Sequence, residues 1–217
     1  MGEVREIQID TRSFMAAAER LLATSKRDPI VVLREQARGV IREVIALTPP
    51  GRPGDTKARS RGTAKVKADI LKLVRGTASE ARVERSDIAA IHAGARRGGR
   101  VTRELNPRIV VPMESLRAYI KQKQERVGRL ASGWSTAAAG LGYKPPAWVA
   151  RNDGPGAIEI KVTDSALVIR ATNRVAYASE ISMLNRRIQT ALNLQRNKME
   201  RRLASYLERA ARQSGFQ

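Results

Sequence analysis

Apolar positions recur at three- and four-residue steps along most of this chain, so the elements they predict are mainly helices. Val4 to Ile9 differs: Val4, Ile7 and Ile9 alternate with charged or polar residues and predict a short strand. Asp10 or Thr11 then caps a helix through Leu22, with Phe14, Ala17, Ala18, Leu21 and Leu22 on one face. A second helix opens at Asp28-Pro29, a cap followed by proline at the first helical position. Ile30, Leu33, Ala37, Val40, Ile41, Val44, Ile45 and Leu47 give it the strongest amphipathic pattern in the N-terminal half. Thr48-Pro49-Pro50-Gly51 ends it, because neither proline can donate the hydrogen bond of a continuing helix.

The stretch 49–108 reads as a basic, loop-rich insertion within a single domain of residues 1–217. GRPGDTKARSRG is loop by composition, and a short helix is expected from Thr63 with Val66, Ile70, Leu71 and Val74 turned inward. Another short helix is expected from Ser86 through Ile88 and Ile91. GARRGGR, from Gly94 to Arg100, is again loop, and Arg108 to Val111, closed by Pro112, predicts a strand.

A long helical pattern follows, with Leu116, Ile120, Val127, Leu130, Trp134, Ala137 and Leu141 forming one apolar seam. Gly128 is expected to bend or divide it, since glycine costs about 1 kcal/mol against alanine inside a helix. GYKPPAW, Gly142 to Trp148, is extended or turn-like. Ile158, Ile160 and Val162 then alternate with Glu159 and Lys161, Thr163-Asp164-Ser165 turns, and Leu167 to Ala171 returns as a hairpin. A last helix covers roughly Asn185 to Arg212 on Ile188, Leu192, Met199, Leu203 and Leu207. The fold class is therefore α+β: long helices packed on a small antiparallel sheet whose hairpin lies near 157–172.

Composition narrows the picture. At 217 residues the chain can bury a real core, and with aromatics at only 4% that core rests on Leu, Ile, Val and Ala. The absence of cysteine removes disulfides, thiolate ligands and a cysteine nucleophile. No apolar stretch approaches the ~20 residues of a membrane span. The opening MGEVREIQID lacks the apolar core of a secretory signal, so a soluble, cytoplasmically made protein is expected.

The net charge of +20 is divided evenly, with +10 in residues 1–112 and +10 in 113–217. Like-charge repulsion on that scale favours a polyanionic or acidic macromolecular partner, either nucleic acid or an acidic protein ring. Arg52, Lys57, Arg59, Arg61, Lys65 and Lys67 could together neutralise several phosphates. That stretch has none of the aromatic platforms on which single-strand binders stack bases, and no nucleic-acid-binding motif can be assigned. A solvated surface, or a patch for an acidic neighbour, explains it equally well.

Catalytic chemistry finds no foothold. His92, the single histidine, has no partner of its kind and reads as solvated or hydrogen-bonded. HExxH, EF-hand, P-loop and GxSxG patterns are absent, and the scattered carboxylates lie among bases, where ion pairing is their default. The chain is not read as an enzyme, and no cofactor or metal is expected.

Three segments carry a family resemblance. Pro49 and Pro50 follow the second helix, Gly128-Arg129-Leu130-Ala131-Ser132-Gly133-Trp134 lies in the long helical pattern, and Asn173-Arg174-Val175-Ala176-Tyr177-Ala178-Ser179-Glu180 follows the hairpin. Together they resemble the tail-completion family of tailed bacteriophages, also called head–tail joining or neck proteins. That family typically shows a proline segment, then Thr-Gly-x-Leu-x-x-Ser, then a Tyr-Ala … Glu element. This chain departs from the pattern: Val127 stands where Thr is usual, the glycine usual after the Glu is missing, and about eighty positions separate the first two segments.

The resemblance implies a virion structural protein, assembled in the host cytoplasm, that forms a homo-oligomeric ring between the portal-side connector and the tail proteins. Gly128, Leu130, Ser132, Trp134, Tyr177 and Glu180 would then shape the fold. The core role is the default for Trp134 and Tyr177, as rings seating sheet against helix. Arg52, Lys57, Arg59, Arg61, Arg96, Arg97 and Arg100 are the expected partner contacts, with the loops that carry them ordering on assembly. Trp148, on a stiff Pro145-Pro146 turn, is expected to be exposed at a subunit contact. A nonspecific nucleic-acid-binding basic protein is the alternative, and nonspecific contact with packaged DNA is compatible with either.

Overall fold

The computed structural model describes residues 11–25, 27–52, 56–78, 85–97, 100–162, 167–178, 181 and 183–213. The strand expected at Val4–Ile9, the turn at Thr163–Ser165 and the position of Glu180 lie outside them. Within them the architecture is α+β and mainly helical, with long helices and two-stranded sheets that include an antiparallel hairpin.

Three helices form the first layer: α1 (Arg12–Ser25), α2 (Pro29–Leu47) and the long C-terminal α9 (Leu184–Gln213). The Asp28 carboxylate caps α2 by accepting from the Ile30 N–H at 2.8 Å, and Pro29 supplies the first turn with a fixed φ. Ala17, Ala18 and Leu21 of α1, Val32 of α2 and Met199 of α9 make one small core. Inside the α2–α9 contact, Gln195 Nε2 donates to Gln36 Oε1 at 2.8 Å, so each buried amide gains one partner while Gln195 Oε1 has none. At the other end of α2, Thr48 closes the helix, its hydroxyl donating to the Val44 carbonyl at 2.7 Å.

The largest core lies below α2 and the start of α9. It joins Ile41, Val44 and Ile45 to Leu130, Trp134, Ala138, Leu141 and Val149, then to Val175, Leu184 and Ile188. α5 (Met113–Glu125) runs towards it and stops. Gly128 then adopts φ +104°, a left-handed conformation that only glycine holds without strain, and α6 (Arg129–Ser132) and α7 (Ser135–Gly140) continue in a new direction. The expected division at Gly128 is therefore present, with a further break at Gly133-Trp134. GYKPPAW is extended only as far as Pro146, because Ala147–Ala150 forms the short helix α8. The hairpin of β5 (Gly156–Val162) and β6 (Leu167–Asn173) pairs Ile158 with Ala171 and Ile160 with Ile169, and these four residues press on the same core.

Residues 56–126 build a core of their own. α3 (Ala58–Leu71) leads into β1 (Val74–Thr77), and α4 (Arg85–Gly94) is followed by the short strands β2 (Arg96–Arg97) and β3 (Arg100–Val101) and then β4 (Ile109–Pro112). β1 and β4 are parallel, with Val74 opposite Ile109 and Thr77 opposite Pro112, and α4 lies in the crossover between them. Ile70, Leu73, Val74, Ile88, Val101, Val111, Leu116 and Tyr119 fill the space.

Two expectations are corrected here. Helix α3 starts at Ala58, not Thr63: Ala58 is buried, and Gly62 lets the first turns lie against Pro50 and Val127. Tertiary packing thus overrides a composition that favours loop. GARRGGR is not all loop either, since Arg96–Arg97 pair antiparallel with Arg100–Val101, anchored by the buried Val101, whose carbonyl accepts from Lys72 Nζ at 3.3 Å.

A side chain at Gly62 would put its Cβ 2.6 Å from Val127 Cγ1 and 2.7 Å from Pro50 Cγ. Gly62→Val is expected to destabilise the protein by about 2 kcal/mol, within the usual cost of overpacking. Gly94→Ala, with nothing within 4 Å of its Cβ, is expected to be neutral or slightly stabilising. Urea unfolding midpoints of the two variants check this, and equal midpoints would refute the close-packing account.

Candidate partner interface

The sequence-predicted contacts do not form one patch. Arg52, Lys57 and Arg59 are exposed around the start of α3, with Lys65 and Lys67 further along it. Arg61 is half-buried and donates from Nη2 to the Pro50 carbonyl at 2.7 Å, so it braces the turn after α2. Arg96 is exposed just after α4, and Arg97 and Arg100 are backbone partners in the β2–β3 register. Trp148 is not an exposed anchor: it packs partly buried against the largest core. Its helix α8 is pulled inward because Asn152 Nδ2 donates both to the Trp148 carbonyl and to the Val127 carbonyl, each at 3.1 Å.

The family-type segments meet each other. Leu130 and Ser132 are buried, and Trp134 is 7% exposed within the core. Asn173 Nδ2, at the end of β6, donates to the Leu130 carbonyl at 2.8 Å, and Asn173 Oδ1 accepts from the Val175 N–H at 3.1 Å. One side chain thus joins the Gly128–Trp134 segment to the Asn173–Tyr177 segment. Pro50 and Val127, far apart in sequence, both close on Gly62. Tyr177 departs from its expected core role, since the residue is 37% exposed. Its phenol is nonetheless desolvated, which pushes its pKa above the ordinary value, while Arg129, Arg96 and Arg126 pull it back electrostatically.

That last relation reveals residues the sequence reading missed. Arg126 and Arg129 flank Gly128, and both are exposed. Neither forms an ion pair with a described residue. Two hydrogen bonds brace the elements next to them. His92 Nδ1 and the Tyr119 hydroxyl, 3.1 Å apart, hold the end of α4 on α5, two turns before Arg126. The Asn173–Leu130 bond holds the loop bearing Tyr177 on α6, which Arg129 opens. Next to Gly128, Arg151 Nη2 donates to the Val127 carbonyl at 3.2 Å. Burial lowers the Arg151 pKa, and the positive charge of Arg59 lowers it further. The available sequence signal was a pair of arginines three apart across a helix-breaking glycine.

His92 is 9% exposed and hydrogen-bonded rather than solvated. Its ring meets Tyr119 edge to face, with centroids 5.9 Å apart. Burial, then Arg96 and Lys123, lower its pKa to about 4. Among the described residues, no group of three or more acidic or histidine side chains is arranged to hold a metal ion, and no helix is long and apolar enough to cross a membrane. A shallow pocket lies between α1 and the end of α9, lined by Thr24, Tyr206, Leu207, Arg209 and Ala210. Compared with known proteins, the chain matches no family model, no curated protein and no solved structure.

Because the folded-state pKa of His92 lies below the ordinary 6.5, the unfolded chain binds more protons between about pH 4 and 6.5. The His92 contribution to stability is complete above pH 6.5, declines as pH falls through that window, and is constant below it. The loss is expected to reach about 3 kcal/mol. His92→Asn should flatten this limb of the stability–pH curve measured by urea unfolding, and an unchanged limb in the variant would refute the assignment.

Proposed function

We propose that this chain is a structural subunit of the phage head–tail junction, forming a homo-oligomeric ring that joins the connector to the tail. The single observation that carries the reading is the convergence of the three family-type segments. Pro50 and Val127 close on Gly62, and Asn173 binds the Leu130 carbonyl, so motif pieces scattered over more than half the chain build one structural node. A shared node is what a shared fold requires of short motifs, and the stretch from Arg52 to Arg126 leaves and re-enters the fold at that node.

In this reading the hairpin supplies the ring contact. Val162 and Val168 are 51% and 48% exposed at the end where Val162 pairs with Leu167, and the outer edges of β5 and β6 carry no described strand. Exposed edges beside apolar side chains are where another chain adds or packs. In this reading the neighbour is a second copy.

A second reading, a nucleic-acid-binding basic protein, is favoured by one specific observation. Outside the Arg52–Lys67 stretch, the half-exposed Tyr177 phenol feels the positive charge of Arg129, Arg96 and Arg126, so an aromatic ring accompanies part of the basic surface.

Light scattering and negative-stain microscopy of the purified chain test the joining role. Discrete rings that co-sediment with portal complexes are expected, and Val162→Lys/Val168→Lys should abolish them while leaving the circular dichroism spectrum unchanged. A chain that stays monomeric at the highest attainable concentration, and ignores portal complexes, would sink this reading.

A further inference from the structure

We infer that the outward face of α2 is a docking site for an acidic helix of another protein, with Arg34, Arg38 and Arg42 pairing its carboxylates and Ile30 and Val31 covering an apolar residue at its end. The inference goes beyond the joining role and holds whether or not this chain forms rings.

The face belongs to one helix. The exposed residues of α2 are Pro29, Ile30 and Val31 in its first turn and then only Arg34, Arg38 and Arg42. Ile30 and the three arginines stand four positions apart, so they form one row with about 6 Å between successive members. The other side of the helix is packed: Val32, Gln36, Ile41, Val44, Ile45 and Leu47 are buried. Asp28 caps its first turn and Thr48 closes its last. The row is therefore presented on a helix fixed along its whole length.

The carboxylates of α2 are committed elsewhere. Both Glu35 oxygens accept from Arg27, at 2.7 and 3.1 Å, and Glu43 Oε1 accepts from Lys198 of α9. Arg42 reaches Glu43 only at 3.5 Å, on the oxygen that Lys198 holds. Arg38 adds its field at Glu35 without bonding to it. Neither Arg34 nor Arg38 forms a hydrogen bond or ion pair with a described residue.

Three guanidiniums beside no open carboxylate suit an anionic partner, and the arginine fork takes two oxygens of a carboxylate or of a phosphate. Ile30 and Val31 select between these. They are 38% and 44% exposed at the end of the row. A phosphate backbone offers them nothing, whereas a leucine one turn beyond three glutamates would cover them. A row at four-residue spacing is also the ridge along which helices most often pack. A second copy of this chain is the wrong partner. Among the described helices none carries more than two carboxylates, and the copy brings another +20 of charge.

Fluorescence anisotropy of the full chain with a labelled, stapled helical peptide tests this. The peptide carries three glutamates four residues apart and a leucine one turn after the last, so antiparallel docking sets the leucine on Ile30 and Val31. Binding is expected at low salt and should weaken as salt is added. Arg34→Gln/Arg38→Gln should weaken it about 3- to 30-fold, the loss of two exposed ion pairs. Arg117→Gln/Lys121→Gln removes the same charge from exposed positions on α5 and should change it by less than about twofold. Ile30→Ser/Val31→Ser should weaken the peptide and leave the binding of a DNA duplex unchanged. A photoreactive leucine in the peptide should crosslink the unaltered protein within Asp28–Arg34, a result independent of how any variant folds.

Several results would overturn the site. A peptide of the same composition with its glutamates on different faces, bound as tightly, would remove the row. Equal losses in the α2 and α5 variants would leave only a diffuse basic surface. A DNA duplex bound with the same Arg34 and Arg38 dependence, with Ile30→Ser/Val31→Ser silent towards the peptide, would assign the face to nucleic acid. No binding of the peptide at low salt would refute the site and leave the joining role standing, since rings and portal binding are scored without it.

Discussion

Closure at Gly62 is the constraint on which the rest of this structure depends. Where α3 passes the turn after α2, there is no room for a side chain between Pro50 and Val127. That contact returns the chain, after the stretch from Arg52 to Arg126, to the point from which it left. Val127 is itself fixed by its carbonyl, which accepts from Arg151 and Asn152 of the segment after α7. If the closure opened, the 56–126 core would lose its seat against the larger core, and the Gly128 turn would lose the neighbour that holds its left-handed backbone in place. Gly128 in turn directs α6 towards Asn173. Packing, backbone conformation and one side-chain amide thus form a single chain of dependence.

Charge works against this compactness. With +20 on 217 residues, ion pairing can offset only part of the repulsion, and the pairs present are mostly on the surface. Exposed pairs of that kind contribute about 0–1 kcal/mol each. The fold answers by placing several bases where their stems or their donors stabilise the backbone. Arg61 binds the Pro50 carbonyl, Arg187 the Leu47 carbonyl at 2.6 Å and Arg108 the Leu71 carbonyl at 3.2 Å. These arginines close helix ends and turns where carbonyls would otherwise go without partners. The surplus is thereby divided into cations that hold the fold together and cations displayed to solvent. Residue counts alone cannot make that division, because a basic residue used as a C-terminal brace looks identical in sequence to one awaiting a partner.

This explains what was legible in the sequence. Periodicity located α2, α5, α9 and the hairpin because each buries a continuous stripe against a core, and the stripe is written in local spacing. Asp28-Pro29 and Pro49-Pro50 marked the limits of α2 because capping and the missing proline donor are local chemistry. The first turns of α3 were illegible for the opposite reason. Ala58, Arg59, Ser60, Arg61 and Gly62 favour a loop by themselves, and only contact with Pro50 and Val127 makes the helix worthwhile. The parallel pairing of β1 with β4 was hidden too, since it joins residues thirty-five positions apart through a crossover. The site suffered most. Arg126, Arg129 and Tyr177 are unremarkable singly, and Trp148 looked exposed until Asn152 tied its helix to Val127.

The two proposed readings make different demands on the surface of the fold. A joining ring needs apolar, edge-exposing contacts that repeat around an axis, and the hairpin with Val162 and Val168 offers these. A nucleic-acid contact would need a field of one sign, to which the exposed Arg126 and Arg129 on either side of Gly128 contribute. Strand β6 links the hairpin to the larger core: it carries Val168, and its last residue, Asn173, holds the Tyr177 loop on α6. A neighbour that bound β6 would therefore bear on the strand whose last residue joins two of the family-type segments. Asn173→Ala should then lower the urea unfolding midpoint, because it removes both the bond to the Leu130 carbonyl and the acceptor for the Val175 N–H.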